Sequence, residues 1–384
     1  MSAVTAVERA ALVATVEQFA IERIAPRVAE YDAAEELPRD LLDAMADLGL
    51  FGGVIPAEYG GMGLDFLTFA QVLETLSKTC NAMACLVSMP SGLVGASLEA
   101  YGTEEQKQRW LTPLAQGRAF GAAGVTEPRS GSDVAGMDTT YERRGDRFVI
   151  NGAKAWITNI DIADFFVTFA SRDRSLRHRG VTAFVIPRDT PGVHVAPYKD
   201  KLGFRPLCTG DLVLDNVEVG LDSLLGEEGE GFPVAMTAVE RGRLGVAARA
   251  LGVASACLEE STTFATLREG FGSQISRFQI VQSKITDMAV GVETARLLVE
   301  SAAGALQRGE RARRLTSMAK MYASDVAFRS AGDAVQIHGA SGVSPEFRVG
   351  RLLRDAKVLQ IVEGSNDIHR ALIAEMELGL RKST

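Results

Sequence analysis

Glu363 stands in an otherwise apolar stretch, after Leu359, Ile361 and Val362 and directly before Gly364. A carboxylate among such neighbours is partly stripped of water, which raises its pKa and makes it a better base near neutral pH. The same residue also fits a charged helix cap, because Ser365 or Asn366 can start the following helix. A second polar cluster is VTEPRSGSD at 125–133. There Gly131 and Ser132 lie in a turn able to present backbone N–H groups to a ligand. A third, NGAKAWITN at 151–159, sets Trp156 after a short strand that Ile157 and Thr158 continue. An exposed indole beside a hydroxyl suits a flat, polar-edged ring system; a turn followed by a core tryptophan accounts for the same residues. The histidines at 178, 194, 338 and 369 show no ligand spacing, so they read as incidental and no metal is expected.

These residues need a scaffold, and 384 residues with 46% hydrophobic and 23% charged side chains are enough for several packed layers. The 41 basic residues are outnumbered by 49 acidic ones, a formal charge of −8. That balance argues against a nucleic-acid footprint, which needs clustered basic surface. Cys80, Cys85, Cys208 and Cys257 follow neither a zinc nor a disulfide pattern, which points to a reducing, cytoplasmic setting. No apolar run reaches the roughly 18 residues that span a bilayer, and no export signal is visible, so no membrane partner is expected.

The elements run α, then β, then α. Leu12, Val16, Phe19 and Ala20 recur at helical spacing, and LPRD at 37–40 starts another helix. Residues 53–64 read as a glycine-rich loop, and residues 65–101 as a buried helical pair that Pro90 should kink or break. Short β-type runs follow at 147–152, 165–170, 181–186 and 211–219. Amphipathic helices return at 232–265, 276–308, 311–338 and 366–378. The expected fold is α+β: a helical domain over 1–117, a small β-barrel or sandwich over 118–228, and an antiparallel four-helix bundle over 229–384.

The pair TEPRSGSD and NGAKAWITN resembles the flavin-binding signature of the acyl-CoA dehydrogenase family. EYGGMG at 58–63, LREGFG at 267–272, FQIVQSKITDMA at 278–289, QIHGASG at 336–342 and IVEGSNDIHR at 361–370 resemble further blocks of that family, in its order. The resemblance covers essentially the whole chain. It implies an FAD enzyme that acts on the CH–CH group of an acyl thioester. Glu363 then matches the base that removes the pro-R α-proton, while the β-hydrogen leaves as hydride to flavin N5. Ala123, Val125, Thr126, Gly131 and Ser132 match residues that line the isoalloxazine and the pantetheine entrance. Trp156, Ile157 and Thr158 match the segment over one flavin face.

Arg268, with Phe271 beyond it, matches the arginine that meets the FAD pyrophosphate, a role that suits a planar guanidinium fork. The plain alternative is a solvated charge at a helix end. Gln279, Gln336, Gly339 and Ala340 match adenine- and ribitol-side contacts, which in the family come from a neighbouring subunit. Ser365, Asn366 and Asp367 match the cofactor-binding block after the base, usually Thr-Ser-Glu. Glu240, Arg243 and Gly364 match substrate contacts, although Glu240 and Arg243 also fit a surface i,i+3 ion pair. The resemblance further implies a homotetramer with FAD shared across subunits, and an electron-transfer flavoprotein or other electron acceptor. Pro90, in the segment that forms the acyl-pocket floor in relatives, points away from plain straight-chain substrates. It leaves both acyl-CoA and acyl-carrier-protein thioesters open.

Overall fold

The computed structural model describes residues 5–380. The first part holds helices α1 (Ala6–Phe19), α2 (Val28–Ala34), α3 (Arg39–Asp47), α4 (Phe66–Thr79), α5 (Asn81–Ser91), α6 (Leu93–Tyr101), α7 (Glu104–Gln106) and α8 (Thr112–Ala115). The bend expected at Pro90 falls two residues later, at Gly92 (φ −99°, ψ −114°), where α5 gives way to α6. Pro90 itself stays within the last turn of α5. The stretch Asn81–Tyr101 is long and apolar enough to cross a membrane by length and composition, which corrects the sequence expectation that no segment is. Of its most apolar window 89% is buried inside the protein, so these side chains serve the core.

The middle part is a sheet of β1 (Gly121–Gly124), β2 (Thr140–Arg144), β3 (Arg147–Thr158), β4 (Phe165–Ser171), β5 (Val181–Pro187), β6 (Val193–Pro197), β7 (Thr209–Gly220) and β8 (Leu224–Leu225). Its order is β6-β7-β3-β2-β4-β5-β8, with β1 parallel to β4. All seven residues of β4 are buried because both of its faces are covered. Phe165, Val167 and Phe169 pack against Val94, Leu98, Leu111 and Leu114 of the helical part. Phe166 and Ala170 face Tyr141, Phe148, Phe184 and Leu212 inside the β domain.

The last part begins with α9 (Gly231–Leu267) and a two-residue hairpin turn between β9 (Glu269–Gly270) and β10 (Ser273–Gln274). Then come α10 (Gln279–Gln307), α11 (Arg313–His338), α12 (Val349–Leu359) and α13 (Asn366–Glu377). Ala319, Ala323, Ala327 and Ala331, four residues apart, give α11 a flat buried stripe on which the bundle closes. The long α9 also packs on α4, α5 and α6, so it joins the two helical parts. The bundle thus has a fifth helix, α12, beyond the four read from the sequence. α12 sets up the turn that carries Glu363.

Candidate active site

Between α12 and α13 the chain makes a tight turn in which Glu363 (φ +54°) and Gly364 (φ +90°) are both left-handed. For a non-glycine residue that conformation costs roughly 1–2 kcal/mol, so the surroundings must hold it. The turn is closed by the Asn366 N–H donating to the Gln360 carbonyl at 3.0 Å. It delivers the Glu363 carboxylate onto α9 at Gly242. A Cβ there would stand 2.9 Å from Glu363 Cδ and 2.9–3.0 Å from both carboxylate oxygens. Any side chain at residue 242 would therefore displace the carboxylate. Gly92, at the α5–α6 break, also faces Gly242: a Cβ at Gly92 would lie 3.6 Å from Gly242 Cα. Glu363 is half-buried. Burial pushes its pKa up to about 7, against the pull of Arg243, Arg249 and Lys320. A carboxyl group poised there can take up a proton near neutral pH.

Three polar side chains, none of them given this role by the sequence reading, fix this turn. Lys320, fully buried on α11, donates to the carbonyls of Gly364 (2.7 Å) and Gln360 (3.2 Å) and to Asn366 Oδ1 (2.8 Å). Burial draws its pKa down to about 7, partly offset by Glu363. Asn366 also donates to Ser324 Oγ and Asp325, so its amide is committed inward. This corrects its assignment as a cofactor contact. His369, fully buried, lies 3.2 Å by Nε2 from the Glu363 carbonyl. Burial, reinforced by Arg243 and Lys320, lowers its pKa to about 3, so the ring is neutral and Nε2–H is the donor to that carbonyl. His369 is thus not incidental. Ser365 caps α13, accepting from the Ile368 N–H at 3.4 Å. The Asp367 side chain is 94% exposed and turned to solvent beside Arg370.

Arg243 is buried on α9 and hydrogen-bonds Ser317 Oγ at 3.4 Å, so the surface ion pair with Glu240 does not form. Glu240 is half-buried one turn earlier. Burial, with Arg313 adding, lowers the Arg243 pKa to about 10.

The two flavin-type segments meet. The Ala155 N–H donates to the Thr126 carbonyl at 2.8 Å. Beside this link Lys154 Nζ reaches Glu127 at 2.7 Å, with side-chain exposures of 0% and 2%. Glu127 also accepts from the Thr139 N–H at 3.0 Å and from the Asp138 N–H. Burial opposes its ionised form, but Lys154 and these donors more than offset that, and the carboxyl sits below its usual range. The pair is thus the rivet that joins the segments. β3 loses register with β7 between Lys154 and Ile157, and at that irregularity Trp156 (φ +61°) stands 64% exposed, edge-on to Tyr198 at 4.9 Å. It is no core tryptophan. Ile157, by contrast, points into the β-domain core at 2% exposure, so only its backbone is free to meet a ligand. Thr126 and Thr158 are half-buried, Gly131 and Ser132 exposed. Ala123 and Val125 line a closed crevice with Leu93, Ser97, Ala235 and Ala238.

The remaining residues gather elsewhere. Arg268 ends α9, and its exposed guanidinium has no carboxylate partner among the described residues. Phe271, at the tip of the β9–β10 hairpin, is fully exposed. Phe264 stacks on His338 at 4.1 Å, which brings this end of α9 beside Gln336, Gly339 and Ala340, all exposed. Gln279, also exposed, begins α10 nearby. Arg268 lies 26 residues beyond Gly242, about 39 Å along α9.

Comparison with known proteins covers all three parts. The acyl-CoA dehydrogenase N-terminal domain model matches residues 7–118, the middle domain model 122–217 and the C-terminal domain model 229–378. An acyl-CoA dehydrogenase of Bacillus subtilis is 39% identical over 364 residues, 95% of this chain and 96% of that one. The structure of butyryl-CoA dehydrogenase from Megasphaera elsdenii superposes with a TM-score of 0.93 at 36% identity, covering 97% and 98% of the two chains. A glutaryl-CoA dehydrogenase from Mycobacterium smegmatis in complex with FADH2 gives 0.93 at 30% identity, covering 98% and 96%. Agreement in sequence and in fold over nearly its full length means that the chain belongs to the acyl-CoA dehydrogenase family.

Proposed function

We propose that this flavoenzyme oxidises a short-chain acyl-CoA to the α,β-unsaturated thioester, with Glu363 as the base that removes the α-proton. The observation that carries the reading is the Glu363 carboxylate, held by a strained turn against the bare backbone of Gly242 and desolvated to a pKa of about 7. Arg243, Arg249 and Lys320 favour its ionised form without a direct hydrogen bond to it, so the oxygens stay free to take a proton. Lys320 and His369 keep the carboxylate in place by gripping the two carbonyls that follow its Cα, those of Gly364 and Glu363. The similarity to butyryl-CoA dehydrogenase supports a short acyl chain. A carrier-protein thioester presents the same pantetheine arm and is the alternative donor.

The residues present suit FAD. Exposed Trp156 offers a face for the ring, and among the described residues the Thr126, Ser132 and Thr158 hydroxyls are unclaimed and Arg268 is a free fork for a diphosphate. Bound FAD supplies the two-electron acceptor for the β-hydrogen. Because Arg268 and Gln336 lie so far from their own Glu363, they serve the flavin of a neighbouring subunit, in keeping with a homotetramer. The apolar surface around them, with Leu267, Phe271, Ile280 and Val343 all more than 70% exposed, is suited to burial between copies. An electron-transfer flavoprotein as electron acceptor and a cytoplasmic location complete the reading.

Two measurements follow. Arg268→Ala should fold normally yet lose flavin on dialysis, because it removes a charge-assisted pair of about 1.5–3 kcal/mol; wild-type flavin content after dialysis would remove Arg268 from the site. Second, the base must be ionised to act. Bleaching of the flavin by butyryl-CoA should therefore speed up about tenfold per pH unit below about 7 and level off above it. A rate that is flat from acid to alkaline pH would refute Glu363 as the base.

A further inference from the structure

Gly242, Gly245, Arg249 and Gly252 follow one another at spacings of three, four and three, so they share one face of α9. The three glycines let other chain segments press directly on the helix. A Cβ at Gly245 would lie 3.5 Å from Ser88 Cβ, and one at Gly252 would lie 2.8 Å from Ser77 Cβ. Arg249 is the one charged member of this face, and it is 3% exposed. Its Nε and Nη1 have no acceptor among the described residues. The guanidinium lies 5.5 Å from the centre of the Phe204 ring and close to the Cys85 thiol. Nearby, Asn81 is 1% exposed and its Nδ2 is likewise unpartnered. The Ser77 hydroxyl bridges Asn81 Oδ1 (3.2 Å) and the Arg249 carbonyl (2.8 Å). The seam therefore holds buried donors with no acceptor. A guanidinium does not shed its charge, and a buried cation left unpaired is strongly unfavourable. Arg243 and Lys320 add two more buried cations around the carboxylate of Glu363.

We propose that Arg249 receives a carboxylate carried on the acyl chain, so that the enzyme takes a short dicarboxylic acyl thioester. The inference rests on Glu363 as the base, since Glu363 fixes where the α-carbon lies. Arg249 is two helical turns beyond Gly242, about 10.5 Å along α9. Helical side chains lean toward the N-terminus, so the guanidinium reaches back toward the notch and the gap to the α-carbon shrinks to a few carbon–carbon bonds. A carboxylate at that distance supplies the missing acceptor. An uncharged chain of equal length leaves the donors unpaired, and sites built for a polar group reject such analogues strongly.

The test compares glutaryl-CoA with pentanoyl-CoA, equal in carbon number, by anaerobic flavin bleaching of the purified holoenzyme. The wild type should favour glutaryl-CoA in kcat/KM by at least about 10². Arg249→Met, similar in length but uncharged, should abolish that preference: compared well above pH 7, where Glu363 is ionised even without the pull of Arg249, glutaryl-CoA turnover should fall about 10²-fold further than pentanoyl-CoA turnover, with flavin content retained. Equal wild-type rates, or a loss in Arg249→Met that falls alike on both thioesters, would overturn the inference. If the variant does not fold, the wild-type comparison alone decides. Bleaching by pentanoyl-CoA but not by glutaryl-CoA sinks only the role of Arg249, whereas no bleaching by either, or by butyryl-CoA, sinks the dehydrogenase reading itself.

Discussion

Glu363→Gln should fold, keep its flavin and bind thioester, yet reduce its flavin under anaerobic conditions at least about 10²-fold more slowly, the lower end of what a positioned general base contributes. Gln is nearly isosteric with Glu and can occupy the same left-handed turn against Gly242, but it cannot take up the α-proton. The turn is held by Lys320 and His369 through the Gly364 and Glu363 carbonyls, which the substitution leaves in place. Its effect on stability has a definite sign. Glu363 has a folded-state pKa raised from 4.5 to about 7, so its contribution to stability is fully present below pH 4.5 and is lost as pH rises through 7. Above pH 7 the amide should therefore melt no lower than the wild type. Asp367→Asn is the matched control. That carboxylate is turned to solvent and should be dispensable. Stopped-flow absorbance at the main flavin band reads both variants, and wild-type bleaching in Glu363→Gln would end its assignment as the base.

The second large effect concerns stability. Glu127→Ala should cost about 3–5 kcal/mol, because it strands the Lys154 ammonium in a fully buried position. The loss should appear as a lower Tm and as premature flavin release, since the pair sits beside the Thr126–Ala155 link that joins the two flavin-type segments. Glu127→Ala combined with Lys154→Met should recover much of the loss, because removing both charges leaves neither uncompensated. Thermal unfolding followed by circular dichroism and flavin fluorescence would measure this. A drop below about 1 kcal/mol in the single variant would mean that water reaches Lys154 after all.

What was legible in the sequence was whatever repeats on a simple period or recurs as a block. The three long bundle helices carry enough regularly spaced apolar residues to be read directly, and each begins and ends within three residues of its expected limits. α12 escaped because Asp355 lies on its buried face, where it accepts the Phe204 N–H at 2.8 Å, and a charge there breaks the apolar pattern. β1 has the sequence Gly-Ala-Ala-Gly, with no β-branched residue. It is a strand because only small residues fit, a Cβ at Gly121 lying 2.6 Å from Val94 Cγ1. The site divides in the same way. Glu363 and Trp156 stood out because a carboxylate among apolar residues and a tryptophan in a polar segment are locally odd. Lys320, His369 and Glu127 did not, since a polar residue in an amphipathic stretch reads as solvated face until the fold shows what covers it. Asn366 misled for the same reason: its block faces the cofactor in family terms, but its own amide turns inward to Lys320.

The account depends most on the breaking of the α-C–H bond at Glu363. Rapid mixing of the anaerobic wild-type enzyme with butyryl-CoA, and separately with butyryl-CoA dideuterated at the α-carbon, tests it in a single turnover. The flavin band should bleach distinctly more slowly with the deuterated thioester. Equal bleaching rates would contradict it.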